Sequence, residues 1–239
     1  MWKAVVVAVL VAVPAPAFAQ QDDERSVAGS FVRDVAGDYK SFFSVENAEW
    51  LGFGGAAALV MHAGDDRIHQ WVVDNNPSSL TGGSVYGSTY LQLPLGIAWW
   101  AIGAAAGSDR NAETGRDLVR AQLSVVSWTF ATKVATNRTR PNGDPRSFPS
   151  GHTSNSFAAA MVLQEHFGWK VGVPALVAAT YTGVSRVIEN QHWASDVMFG
   201  AFLGMASGRT VTLHMRDSRV TFAPLGVPGG GGVIVSVTR

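Results

Sequence analysis

The chain has 239 residues, with 18 basic and 18 acidic side chains and no cysteine. Zero formal charge gives nucleic acid no electrostatic handle, and the absent thiol excludes disulfides, thiolate metal sites and a cysteine nucleophile. The length suits one hydrophobic core, and no low-complexity run divides it.

The chain opens with MWKAVVVAVLVAVPAPAFAQ: one positive charge at Lys3, an apolar run from Ala4 to Val13, then Ala17-Phe18-Ala19. That order is the pattern of a secretory signal, so residues 1–19 are expected to be removed and the mature chain to start at Gln20. A retained membrane anchor is the alternative, but Pro14 and Pro16 cut the apolar helix well below spanning length. Next, Val27, Phe31, Val35 and Phe42 recur at helical spacing among charges. This predicts an amphipathic helix that packs on a core or lies on a membrane surface.

Apolar segments near 50–63, 90–107, 116–137, 152–167, 170–187 and 193–213 predict the body of a helical bundle. Asn75 to Thr89, with Pro77, Gly82, Gly83 and Gly87, reads as a long loop. The apolar segments are interrupted or bounded by polar residues, as by Gln92 and Pro94. They are therefore expected to be buried within a soluble bundle rather than to face lipid, with membrane contact left open. From Arg219 the pattern changes to two β-prone runs around Pro228 and four glycines, predicting a short C-terminal hairpin in a tail of 216–239.

Three stretches carry chemistry. In KVATNRTRP, Lys133 and Arg140 stand two helical turns apart, about 10 Å along the axis, and could share one face. Pro141 disfavours helix at Arg140 and places the helix end there. A guanidinium can grip two phosphate oxygens while an ammonium supplies point charge, although a solvated basic face would explain this pair by itself. In PSGH, Ser150 is placed to cap the following helix, whose first N–H groups attract an anion. Gly151 lets the backbone approach closely, and His152 in the first turn can give or take a proton. In SRVIENQHWASD, His192 and Asp196 are four apart on an expected helix, so the carboxylate can fix the imidazole tautomer. Arg186 offers a further phosphate clamp.

With these three stretches intact between 133 and 196, the chain resembles the type 2 phosphatidic acid phosphatase (PAP2) superfamily, which includes bacterial acid phosphatases and vanadium-dependent haloperoxidases. The resemblance implies an all-α helical bundle over residues 20–215 and an exported protein of the bacterial periplasm, with membrane association open. It implies that His192 attacks phosphorus and becomes a phosphohistidine, that Asp196 orients it, and that His152 serves as acid and then base. Lys133, Arg140 and Arg186, helped by Ser150 and the Gly151 N–H, would neutralise the phosphate oxygens. No metal or other cofactor is needed on this reading, since three cations supply the charge.

The expected partner is a phosphorylated small molecule or a lipid headgroup. A vanadium haloperoxidase reuses the same pocket and stays open on the motifs, although such chains are usually much longer. A non-catalytic phosphate- or headgroup-binding protein is the third reading, and retention of His152, His192 and Asp196 argues against it. Elsewhere His62, Asp66 and His69 have a spacing that could hold a metal, but Gly64 and the paired aspartates suggest a helix end instead. His166 is expected at the surface near a helix C-terminus.

Overall fold

A computed structural model describes residues 21–213, 219–227 and 230–238, with side chains from 29 to 213. The expected signal segment 1–19 lies outside the described residues. The chain divides into two compact units at Asp34, and the packing below concerns residues from Val35 onward.

The helices are α1 (Gln21–Ser41), α2 (Val45–His62), α3 (Asp65–Asn75), α4 (Thr81–Tyr86), α5 (Thr89–Ala105), α6 (Asp109–Thr136), α7 (Gly151–Phe167), α8 (Trp169–Ile188) and α9 (Ala194–Val211). Six of them match the apolar segments expected from periodicity. The expected loop from Asn75 to Thr89 is corrected: it contains α4, whose Gly83 faces the Ser185 side chain so closely that a Cβ would stand 2.7 Å from its Cβ. Glycine here serves helix packing rather than a flexible loop. Arg219–Val227 (β1) and Gly230–Thr238 (β2) pair antiparallel, with Arg219 opposite Thr238. The turn expected at Pro228 lies outside the described residues.

Helices α6, α7 and α9 form the centre. Leu118, Val125, Ala158, Val162, Leu203, Ala206 and Val211 are buried in one cluster, joined by Phe42. Full burial of a side chain such as Val162 contributes about 1.5–3 kcal/mol. A second cluster, Ala160, Ala175 and Ala179, joins α8 to another face of α7.

Close packing fixes the register of α7 against α9. Gly200, Gly204 and Gly208 recur every four residues on α9, forming one stripe. A Cβ on them would stand 2.8, 2.3 and 2.4 Å from the backbone oxygens of Ser150, Ser154 and Ala158. Only glycine lets the two backbones approach this closely. The Ser150 N–H also donates to the Asp196 carbonyl at 3.0 Å. The start of α7 and the start of α9 are thereby held side by side.

Two expectations about burial are overturned. His166 is buried rather than at the surface, with Nε2 3.0 Å from Asp117 Oδ2, and Asp117 and Asp38 both pair with Arg120. The apolar helices are buried on one face only, so the expectation of full burial fails for their outward side chains. Phe53, Leu59 and Val60 on α2, Leu95 and Ile102 on α5, and Val173, Val177 and Val184 on α8 are exposed. The small residues on the opposite faces (Gly54, Ala58, Gly96, Gly103, Ala175, Ala179) do the packing, which leaves the large side chains outward. Helix α8 is the only one among the described residues long and apolar enough to cross a membrane by length and composition.

Candidate active site

The eight residues singled out from the sequence come from four places: the end of α6, the loop before α7, the start of α7, and the stretch from late α8 into α9. Helix α6 ends at Thr136, four residues before the expected end at Arg140. Asn137 caps it in the left-handed region with φ of 43°. Asparagine tolerates that conformation and donates its N–H to the Lys133 carbonyl at 3.0 Å. Lys133 and Arg140 therefore do not share a helix face. Lys133 reaches from the last turn, its ammonium donating to the carbonyls of Arg146 (2.7 Å) and Ser147 (3.0 Å). Arg140 sits in a turn closed by its N–H to the Asp144 carbonyl (2.8 Å), and its Nη1 donates to Gln191 Oε1 at 3.0 Å.

Ser150 is the N-cap residue of α7 by position but makes no side-chain cap. Its Oγ accepts instead from Thr153 Oγ1 at 2.9 Å. A Cβ on Gly151 would lie 4.0 Å from Lys133 Cε and 3.6 Å from Thr129 Cγ2, so this glycine faces Lys133 with ordinary room. His152 in the first turn is backed by Gly87, where a Cβ would stand 2.9 Å from the His152 Cβ.

His192 is not on a helix, contrary to the expectation. It precedes the N-cap Trp193, and Asp196 is the third helical residue of α9. Asp196 Oδ2 accepts the Trp193 N–H at 3.0 Å, which folds the chain so that His192 Nδ1 lies 3.6 Å from the same oxygen. The capping geometry, rather than a shared helix face, makes the pair neighbours. His192 is buried, and its Nδ1 has no hydrogen-bond partner among the described residues at that distance.

Charge at the site follows from burial and three cations. Burial pushes His192 down to about 4, with Lys133 and Arg140 acting in the same direction against Asp196. His152 is likewise lowered to about 4 by burial and by Arg186, Arg140 and Lys133, opposed by Glu189. Burial, then the neighbouring Arg140 charge, lowers Lys133 to about 8. Both imidazoles are therefore neutral at pH 7 with the site empty of anion. Burial raises Asp196, but the facing His192 ring, the Ser147 hydrogen bond and the Arg138 charge outweigh it and hold the carboxylate below its usual range. Arg140 Nε and Arg186 Nε are buried donors with no partner among the described residues. Unpaired buried N–H groups are costly, and an anionic acceptor between these two guanidiniums would relieve both.

Several residues went unseen in the sequence. Arg186 Nη1 donates to Glu189 Oε2 at 2.6 Å and also to Ser84 Oγ, which in turn donates to Glu189 at 2.6 Å. Ser147 Oγ donates to Asp196 Oδ2. Arg138, within the first motif, binds Asp196 Oδ1 at 2.7 Å and Asp65 Oδ2 at 2.8 Å. Glu189, Gln191 and Arg138 stand inside the quoted motifs and could have been weighed there. Ser84 and Asp65 lie far away in sequence and carried no signal. The spacing of His62, Asp66 and His69 does not produce a site. His62 Nδ1 is 2.9 Å from Asp65, His69 Nδ1 is 3.1 Å from Asn190, and no metal-holding group of three such side chains occurs among the described residues.

Residues 126–219, the segment that holds all three motifs, match the model of the PAP2 superfamily. A lipid A 1-phosphatase of Porphyromonas gingivalis is 40% identical over 106 residues, 41% of this chain and 24% of that protein. A lipid A 4′-phosphatase of Helicobacter pylori is 30% identical over 79 residues, 33% of this chain and 40% of that one. The chain thus spans less than half the length of these relatives. Among solved structures, a transmembrane PAP2-type phosphatidylglycerolphosphate phosphatase from Bacillus subtilis superposes with a TM-score of 0.56 at 23% identity, covering 70% of this chain and 93% of that one. Aquifex aeolicus LpxE gives 0.50 at 22%, covering 62% and 93%. The likeness to both is one of fold.

Proposed function

We propose that this chain is a phosphatase of the PAP2 type that removes a phosphate monoester from a lipid headgroup, through a phosphohistidine on His192 and without a metal ion. The observation that carries the reading is the pair of unpaired buried guanidinium donors, Arg140 Nε and Arg186 Nε, in a site that also holds Lys133 and two neutral imidazoles. Phosphoryl transfer needs positioned charge more than covalent chemistry, and three side-chain cations supply it.

In the first step the free Nε2 of His192 attacks phosphorus, the P–O bond to the leaving alcohol breaks, and His152 gives that oxygen its proton. In the second, His152 takes a proton from water, the hydroxide attacks phosphorus, the P–N bond breaks and inorganic phosphate leaves. His152 must hold a proton for the first step although it is neutral in the empty site. The bound phosphate supplies the remedy, because its negative charge offsets the three cations that depress this histidine. Asp196 faces Nδ1, which directs Nε2 outward.

A lipid substrate is supported by the names of the relatives and by apolar exposure beside the site. Val85, 61% exposed, and Tyr90, 94% exposed, flank Gly87, which packs directly on His152. With the outward apolar side chains of α2, α5 and α8, these favour a protein that works in contact with a membrane. We include export with removal of residues 1–19 in the proposal; intact mass of the exported protein tests it, and retention of Met1 would refute it.

The deciding experiment is phosphate release by the full chain in detergent micelles with excess chelator, comparing a phosphatidate with glycerol phosphate. Turnover of the lipid, and much slower turnover of the soluble ester, is expected. Strict dependence on added divalent metal would sink the mechanism. Equal rates on both substrates would sink the lipid assignment.

A further inference from the structure

Behind Asp196 lies a second charged pair that the reaction above does not use. Arg138 divides its guanidinium between two carboxylates: Nη1 reaches Asp196 Oδ1 at 2.7 Å and Nη2 reaches Asp65 Oδ2 at 2.8 Å. Asp65, at the start of α3, is itself buried, its side chain only 2% exposed. It also accepts the Ser195 backbone N–H at 3.0 Å and the Ser195 hydroxyl at 2.5 Å. Ser195 is the residue next to Asp196, and its hydroxyl additionally takes Arg138 Nη1 at 2.8 Å. The Arg138 guanidinium also stands 5.3 Å from the ring of Trp193, the residue next to His192. One carboxylate from a distant helix therefore grips the chain on the nucleophile's side twice, through its backbone and through Arg138.

We propose that Asp65 is a positioning residue for the nucleophile, seating Asp196 through Arg138 and Ser195 and thereby aiming His192. The inference rests on the phosphatase reading and extends it to a residue outside the three motifs. Charge arithmetic gives it content. Asp65, Arg138 and Asp196 together carry a net charge of −1. Without Asp65, Arg138 would be a whole cation spent on Asp196, and the carboxylate would pull less on the imidazole. Without Arg138, two buried carboxylates would face each other beside Ser195, and the region would hold protons more tightly. The charged groups acting on His192 are Asp196 on α9, Lys133 on α6 and Arg140 in the loop before α7. Asp65 is faced by the Arg138 cation and, from the end of α2, by the His62 ring at 2.9 Å. Burial raises Asp65, but hydrogen bonds from Ser195, Arg138 and His62 prevail and keep it ionised.

The test uses three variants of the full chain in detergent: Asp65→Asn, Arg138→Gln, and the two combined. Against nitrophenyl phosphate, Asp65→Asn should lower kcat about 10- to 100-fold with KM nearly unchanged, the usual range for an outer partner that orients a ligating or catalytic histidine. Arg138→Gln should move the acid limb of the pH–rate profile to higher pH. The double variant restores the net charge of −1 and should bring that limb back towards the wild-type position. A purely structural role predicts the opposite: lower activity at every pH with a fixed limb, and a double variant worse than either single one. That result would overturn the proposal.

The His192 ring-nitrogen NMR titration gives the same comparison without turnover. If the wild-type chain released no phosphate from any ester, the phosphatase reading would fall while this titration still judged Asp65 and Arg138. Should Arg138→Gln not fold, Arg138→Lys keeps the charge but cannot span both carboxylates. It is expected to lower kcat with unchanged KM, and wild-type kcat in that variant would count against the proposal.

Discussion

The two sides of the His192–Asp196 pair are built on opposite rules. On the side of Arg138, the Arg138 terminal nitrogens, both Asp65 oxygens and both Asp196 oxygens are engaged with protein partners. On the side of Arg140 and Arg186, guanidinium Nε groups are buried without partners, and His192 Nδ1 is held beyond hydrogen-bond range. Paired charges fix geometry, while the unpaired ones are, on the proposed function, kept for the phosphate. The contrast tells the two kinds of arginine apart although all three lie in or beside the motifs.

Predictions can break that contrast, starting with the largest. His192→Ala should reduce turnover to background and leave no label on acid-quenched enzyme, because no other side chain forms the bond. His152→Ala should instead accumulate labelled enzyme with nitrophenyl phosphate, whose leaving group needs little help while the water step still needs a base. Label retained by His192→Ala would remove it as nucleophile. On the ligand side, Arg140→Ala or Arg186→Ala should each cost about 10²–10³-fold in kcat/KM, as for loss of one oriented transition-state donor. Thermal unfolding of Arg140→Ala should stay near wild type, since it removes an unpaired buried donor and one neutral hydrogen bond to Gln191, whereas Arg186→Ala also strips Glu189 of its ion pair and should be less stable. A large loss of stability from Arg140→Ala would erase the distinction.

Smaller effects sharpen it. Lys133 is lowered to about 8 in the free enzyme, so its charge is present below that pH and lost above it. Phosphate affinity should therefore weaken as pH rises through about 8, appearing as a rise in KM. Lys133→Arg, which stays protonated, should abolish this limb. Gly204→Ala would put a Cβ 2.3 Å from the Ser154 carbonyl oxygen and should cost about 1–3 kcal/mol of stability, measured by denaturant unfolding. Gly151→Ala meets only ordinary contacts, so its stability should hold while KM rises.

The legible parts of the sequence were those in which function sits in short runs. Lys133, Ser150, His152, Arg186, His192 and Asp196 lie in three stretches, and the apolar periodicity of α5 to α9 carried the bundle that joins them. The local form was less visible. His192 and Asp196 looked like helical neighbours, whereas a capping turn joins them, because spacing alone does not separate the two. Asp65 was hidden because its partner Ser195 is 130 residues away, and a long-range ion pair leaves no local pattern. The outward-facing apolar side chains were misassigned for a similar reason. Glycine and alanine on one face decide which face packs, and short apolar length alone does not show it.

The glycine stripe on α9 also has a mechanical consequence. An interface of interlocked long side chains can yield, since rotamers shift to absorb a change in spacing. Along the glycine stripe of α9 no such cushion exists, because peptide groups meet Cα atoms directly at Gly200, Gly204 and Gly208. Squeezing the helices from the side, as surrounding lipid would, therefore moves the two backbones as one body. His152 and His192, at the entrances to those helices, keep their separation while the looser faces around them take up the strain.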